Sequence, residues 1–230
     1  GVDGIAAGDR VEALGRLADI PVGRALLGRV IDAFGHPADG GTALGTRERR
    51  RLQPPVLQAM RRQRIDQPLE TGIKVIDSML TLAKGQRVGL FAGSGVGKST
   101  LMGMMVRGTR VGVNVVALIG ERSREVREFV EDQLGAEGLR RSVVVVATAA
   151  EPAVLRLRAA HAATTIAEYF RDQGEDVLLM MDSLTRFAMA RREVGLAVGE
   201  PPTARGYTPS VFSELPQLCE RSGPGTGGGS

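Results

Sequence analysis

The sequence predicts an α/β fold built on a mainly parallel sheet, and three observations carry that expectation. From about residue 65 onward, short apolar runs alternate with segments of helical periodicity. The apolar runs are continuous rather than alternating, as strands covered on both faces require. One of them leads into Ala92-Gly93-Ser94-Gly95-Val96-Gly97-Lys98-Ser99-Thr100, a glycine-rich loop that opens a helix.

Residues 1–35 read as short strands and turns, with apolar residues between glycines over Gly8–Leu14 and Leu26–Ile31. Residues 35–60 are loop-rich, broken by Gly40-Gly41 and Pro54-Pro55. Arg87–Phe91 is expected as a buried strand, and Lys98–Arg107 as the helix after the loop. Asn114–Ile119 is the next strand and ends in Gly120. Arg122–Leu134 reads as an amphipathic helix. Val126, Phe129, Val130 and Leu134 share one face, and Arg124–Glu128 and Arg127–Glu131 form i,i+4 pairs on the other. Val143–Ala147 is a third strand. Pro152 suits the first turn of a long helix ending near Gly174. Val177–Met181 is a fourth strand, closed by Asp182.

Composition bounds the function. The chain has 230 residues, 43% hydrophobic and 24% charged, enough for one sizeable core. No apolar stretch approaches the roughly 20 residues of a membrane helix. The single cysteine, Cys219, allows no internal disulfide, which fits a reducing cytoplasm. His36 and His161 stand far apart with no cysteine near, which speaks against a zinc site. Net charge is +4, carried almost wholly by arginine, and lysine occurs only at 74, 84 and 98. Clusters at Arg47, Arg49–Arg51 and Arg61, Arg62, Arg64 lie in linker-like sequence with no interleaved aromatics. A base-stacking surface needs that interleaving, so no nucleic-acid partner is expected.

Three polar constellations fall at expected strand ends, where ligands of parallel sheets sit. In the loop, glycines aim backbone N–H groups at one anion and the helix N-terminus adds positive potential. Lys98 reaches β- and γ-phosphates, and the Ser99 hydroxyl suits Mg²⁺. Ala92 stands where the strictest pattern has glycine. Asp182 follows five apolar residues, placed to hold a water on that Mg²⁺; its competing role is a helix N-cap. The third constellation is Gly120-Glu121-Arg122-Ser123-Arg124-Glu125. Glu121 is aimed to polarise an attacking water, Arg122 to offset phosphoryl charge, and Glu125 to reach the metal's water shell. The competing reading is a charged helix N-terminus, where glutamate is favourable anyway.

Taken together, Phe91–Thr100, Ala117–Phe129, Asp182–Ala188 and Ala190–Phe212 resemble the export ATPases of flagella and type III secretion systems, relatives of the rotary ATP synthase catalytic subunit. The likeness runs from about Gly8 to Gly225. It implies a RecA-like P-loop core, with residues 1–50 as the end of an N-terminal β-barrel domain plus linker and 51–230 as the ATPase domain. It implies ATP and Mg²⁺, with residues 92–100 binding nucleotide. Glu121, Lys98 and Arg122 would be catalytic, and Ser99, Asp182 and Glu125 would serve the metal. It also implies a homohexameric ring that meets export-apparatus proteins, cargo and chaperones. The location implied is cytoplasmic, peripheral at the cytoplasmic face of the inner membrane. Ala92-Gly93-Ser94, Thr148 and Gly206–Pro209 look more flagellar than virulence-type. The competing functions are a RecA-like nucleic-acid motor and a non-catalytic nucleotide-binding ring subunit. Such subunits lack an acidic residue at the position of Glu121.

The sequence departs from the family pattern at Ser123, usually Gly, at Ala149-Ala150, usually Ser-Asp, and at His161, usually Tyr. The family's arginine finger, part of its adenine pocket, its last core strands and its helical C-terminal domain are expected beyond Ser230. An arginine finger is worth roughly 10³–10⁵ in rate in other phosphoryl-transfer systems. The chain assayed alone is therefore expected to bind nucleotide weakly and release phosphate very slowly. Turnover at a rate normal for the family would contradict this.

Overall fold

The computed structural model describes residues 6–10, 12–13, 18–55, 57–93 and 95–230. Strands β1 (Asp19–Pro21), β2 (Arg29–Ile31), β3 (Arg49–Arg51) and β4 (Pro68–Leu69) come first. Helix α1 (Lys74–Met79), strand β5 (Leu82–Ala83) and helix α2 (Lys98–Gly108) follow. Next are β6 (Val113–Ile119), α3 (Ser123–Glu128) and α4 (Gly135–Arg140), the two helices joined by a π-helical turn over Phe129–Leu134. The chain then runs through β7 (Ser142–Ala147), α5 (Ala153–Asp172), β8 (Val177–Asp182), α6 (Leu184–Ala197) and α7 (Pro209–Glu220).

The central sheet has the order β2-β7-β6-β8, every pair parallel. Side chains alternate across it, and both faces are apolar. Val113, Val115, Ala117 and Ile119 of β6 point with Val143, Val145 and Ala147 of β7 toward one cluster. Val116 and Leu118 point with Val144, Val146 and Met180 toward the other. The first face is covered by α5, α6 and α7 through Ile166, Phe170, Phe187 and Leu218. The second is covered by α1, α2 and the π turn through Ile76, Met102, Met105, Val106, Phe129 and Leu134. Both faces buried is what continuous apolar strands demand. Alanines 159, 160, 162, 163 and 167 on α5 leave little side-chain bulk between that helix and the sheet.

The chain passes from β6 to β7 through α3 and α4, then crosses back through α5 to β8 on the other side of β6. The strand order thus reverses at β6. A crevice opens outside the carboxyl ends of β6 and β8, because the chain leaves those two strands toward opposite faces.

Two expectations are corrected. Arg87–Phe91 is not a buried strand. It pairs with no strand, and Val88 is 52% and Phe91 98% exposed. An apolar run becomes a strand only where its backbone is brought within hydrogen-bonding reach of a strand edge. Here a cavity of about 250 Å³ lies between residues 84–88 and β8. Residue 86 is tied instead to the β4–β5 ribbon through Ala83 N–H donating to Gln86 Oε1 (2.9 Å). Arg87 is held by Glu220 (2.6 Å). The second correction concerns residues before 50. Strand β2 is the edge of the central sheet, and Ile20, Val22, Leu26, Ile31 and Leu52 enter its core. These residues share the core because the Val30 and Ile31 side chains fall on opposite, equally covered faces. Of the strand expected over Gly8–Leu14, Val11 and Leu14 lie outside the described residues.

The loop after β2 closes on Asp39. Its carboxylate accepts from Arg29 Nε (2.7 Å) and a second guanidinium nitrogen (2.8 Å), from Gly41 N–H (2.9 Å) and from Val30 N–H (3.1 Å). The Arg29 hydrogen bonds, with the backbone donors, hold its carboxyl far below the usual carboxylate range. A depressed pKa stabilises the fold above the ordinary carboxylate value of about 4 and ceases to do so on acidification. Asp39→Asn is therefore expected to lose stability at neutral pH. Its deficit against the native chain should shrink as pH falls below that value, as read by denaturant titration at several pH values.

Candidate functional site

The loop before α2 has the geometry of an anion cradle. Gly95 (φ 77°) and Gly97 (φ 93°) are left-handed, and a Cβ on either would meet nothing within 4 Å. Glycine is needed there for the backbone angle rather than for space. Gly97 is the N-cap of α2 and no side chain caps the helix, so its first-turn N–H groups face outward for an anion. Ala92, Gly93, Val96, Ser99 and Thr100 are exposed around it, and Lys98 is half-buried. Ser94 lies outside the described residues.

Lys98 Nζ donates to Asp182 Oδ1 at the end of β8. The Asp182 side chain is only 8% exposed. Its competing role is taken by its neighbour: Ser183 Oγ caps α6 by accepting from Arg186 N–H (3.3 Å). Asp182 is thereby left to face Lys98.

Glu121 follows β6 into the same crevice. Gly120, just before it, has φ 74°, and a Cβ there would sit 3.0 Å from Cβ of Arg186. That close approach sets the first turn of α6 against the Glu121 loop. Burial, then the Asp182 charge and a hydrogen bond to Glu125, push the Glu121 carboxyl above its ordinary value; Arg186 and Lys98 oppose the rise. Glu125 is held low, first by its bond with Glu121 and then by Arg122. The structure thus brings Lys98, Asp182, Glu121 and Glu125 together, with Ser99 beside Lys98 on the first turn of α2. Arg122 is not among them. It is 82% exposed at the rim, where its backbone N–H (3.4 Å) and its guanidinium (3.3 Å) both donate to the Glu125 carboxylate. The carbonyl of Glu121 accepts from Ala149 N–H (3.0 Å), so the Ala149-Ala150 departure lies directly beside it.

Arg186 escaped the sequence reading. The signal was its place four residues after Asp182, one helical turn past the strand end. Its charge reaches Glu121.

The donors fit a small hard cation: carboxylates at Asp182 and Glu125, and a hydroxyl at Ser99. Among the described residues no three His, Cys, Asp or Glu side chains converge to enclose a metal. A cation here would keep water and take phosphate oxygens, which suits Mg²⁺.

Fold and crevice together define a phosphate-loop, nucleotide-binding α/β domain. Residues 72–230 match the model of the ATP synthase alpha/beta family, nucleotide-binding domain, and the chain belongs to that family. It is 57% identical over 225 residues to the type 3 secretion system ATPase of Xanthomonas euvesicatoria, covering 98% of this chain and 51% of that protein. It is also 57% identical over 224 residues to the flagellum-specific ATP synthase of Bacillus subtilis, covering 95% and 50%. Equal identity to both leaves the flagellar leaning unsupported. The fold matches the assembled ATPase EscN of the enteropathogenic E. coli type III secretion system. The TM-score is 0.86 at 53% identity, over 92% of this chain and 51% of that one. The chain spans about half the length of the curated relatives it matches.

The balance of charges on Glu121 is testable. Its titration midpoint, followed by side-chain carboxyl NMR, is expected to fall in Asp182→Asn, which removes a like charge. It should rise in Arg186→Gln, which removes an opposite one.

Proposed function

We propose that this chain is the catalytic core of a Mg-ATP hydrolase that energises flagellar or type III protein export within a homohexameric ring. One observation carries the reading: a phosphate-loop lysine, a strand-end aspartate and a strand-end glutamate with a raised pKa meet in one crevice at the reversal of strand order. The relatives' names and the assembled state of EscN support it. The partners proposed are export-apparatus proteins and secreted cargo with its chaperones, at the cytoplasmic face of the inner membrane.

The residues divide the work. First-turn N–H groups of α2 and the Lys98 ammonium hold the triphosphate. Bound Mg²⁺ would neutralise phosphate charge and orient the leaving oxygens. Ser99 and Asp182 would hold it, Asp182 and Glu125 through its waters. Glu121 orients the attacking water and withdraws its proton once ionised. Arg186, close enough for its charge to act on Glu121, favours that ionised form. It also adds positive potential where charge accumulates on the phosphoryl group.

In the full-length protein, Glu121→Gln should lower phosphate release by roughly 10²–10⁴-fold while ATP binding by calorimetry is retained. Lys98→Ala should weaken binding itself. Undiminished release by Glu121→Gln would remove Glu121 from the reaction. Absence of ATP binding by the full-length protein in Mg²⁺ would remove the whole reading.

A further inference from the structure

Lys98 and Asp182 have two roles at once. Each is the proposed partner of an incoming group, Lys98 of phosphate and Asp182 of hydrated Mg²⁺, and each is already bonded to the other. The pair sits in a partly dehydrated place, with Asp182 nearly buried and Lys98 31% exposed. The bond is not a by-product of a capping role, since Ser183 caps α6. Among the described residues no other acid is hydrogen-bonded to Lys98: Glu121 feels its charge but bonds Glu125, which in turn is held by Arg122.

We propose that the Lys98–Asp182 bond is a self-locking contact, so that nucleotide and metal bind as a mutually dependent pair and each alone binds poorly. This rests on the Mg-ATP reading above. A metal-free polyphosphate must pull Lys98 away and leave a buried carboxylate without a partner, which is costly. A metal alone must pull Asp182 away and leave Lys98 unpaired beside it. When both arrive, phosphate replaces Asp182 on Lys98 and the metal replaces Lys98 on Asp182, and no charge is stranded. The resulting coupling is reciprocal: the metal tightens nucleotide by the factor by which nucleotide tightens the metal. The lock selects against metal-free ATP, which the crevice would otherwise attract through its helix terminus and Lys98.

The lock inverts the usual effect of removing a metal-binding carboxylate. Asp182→Asn should bind ATP more tightly than the unaltered chain when excess EDTA removes all metal. About tenfold is expected for release of a charge-assisted hydrogen bond. The same variant should lose most of the gain that Mg²⁺ gives the unaltered chain. Glu125→Gln is the control, because it removes a negative charge from the same crevice without freeing Lys98. Its gain in EDTA should be several-fold smaller. The readout is ATP affinity by calorimetry at one ionic strength. Equal or weaker metal-free binding by Asp182→Asn, or an equal gain in Glu125→Gln, overturns the lock while leaving the Mg-ATP reading intact. No ATP binding by the full-length protein in Mg²⁺ removes that reading and the lock with it.

A second measurement needs no variant. The chain has three lysines, and mass spectrometry can follow acetylation of each in the metal-free protein. Lys84 is ion-paired to Asp176 (2.7 Å), whereas Lys74 is exposed on α1. Lys98 should react several-fold more slowly than Lys74, at a rate near that of Lys84. Reaction of Lys98 as fast as Lys74 overturns the proposal.

Discussion

Every residue of β6 is buried, and both its edges are hydrogen-bonded to parallel neighbours, so nothing about that strand is free to adjust. Its side chains fill the cores on both sides of the sheet. The helices that cover those two faces are therefore positioned relative to one another through it. Because the strand order reverses there, the ends of β6 and β8 stand side by side while the chain leaves them in opposite directions. The crevice is a consequence of that reversal. Any domain that winds both ways from one central strand opens a gap at its carboxyl end.

Into that gap the fold places acidic and basic groups side by side. Glu121, Glu125 and Asp182 face Lys98, with Arg186 near and Arg122 at the rim. Burial makes unpaired ionisation expensive, so the groups satisfy one another: Lys98 with Asp182, Glu121 with Glu125, Glu125 with Arg122. This internal pairing and the proposed chemistry use the same atoms. A ligand carrying both phosphate anions and a divalent cation can exchange those bonds without leaving any charge alone. A ligand carrying one sign cannot.

Away from the crevice, a second charged network fixes α7 to the rest. Arg221, just past α7, bonds Glu168 and Thr165 of α5 and the carbonyl of Leu52. It also approaches Nδ1 of His161 (3.3 Å), whose Nε2 meets Glu214 of α7 (2.9 Å). Arg191 of α6 completes the cluster on Glu214 (2.7 Å). The hydrogen bond from His161 holds the Glu214 carboxyl below its ordinary range. His161 stands where the resembled family usually has tyrosine. It serves here as a bridge between Arg221 and Glu214, linking α5 to α7 in a place apolar packing alone does not cover.

Much of this was legible in the residues themselves. Continuous valines in 143–146 and the run 115–119 announced strands covered on both faces. The glycines before Lys98 announced a loop that only left-handed backbone can form, and helix periodicity placed Phe129 and Leu134 inward. These are local properties, set by side-chain spacing and backbone sterics, and the sequence by itself determines them. It also singles out Lys98, Glu121 and Asp182, each at a strand end or a helix start, as the polar residues that the fold then brings together. What it did not determine is pairing. Val88 and Phe91 are as apolar as a buried strand, yet they lie exposed because their segment is held across a cavity from β8 by the β4–β5 ribbon and Glu220. Leu26–Ile31 looked like part of a separate barrel, yet β2 is the sheet's edge. Arg186, an ordinary helix arginine in sequence, lies against the Glu121 loop only because β6 and β8 are neighbours. Edges, neighbours and the partner a charge chooses depend on residues far apart in the chain, so only the tertiary structure decides them.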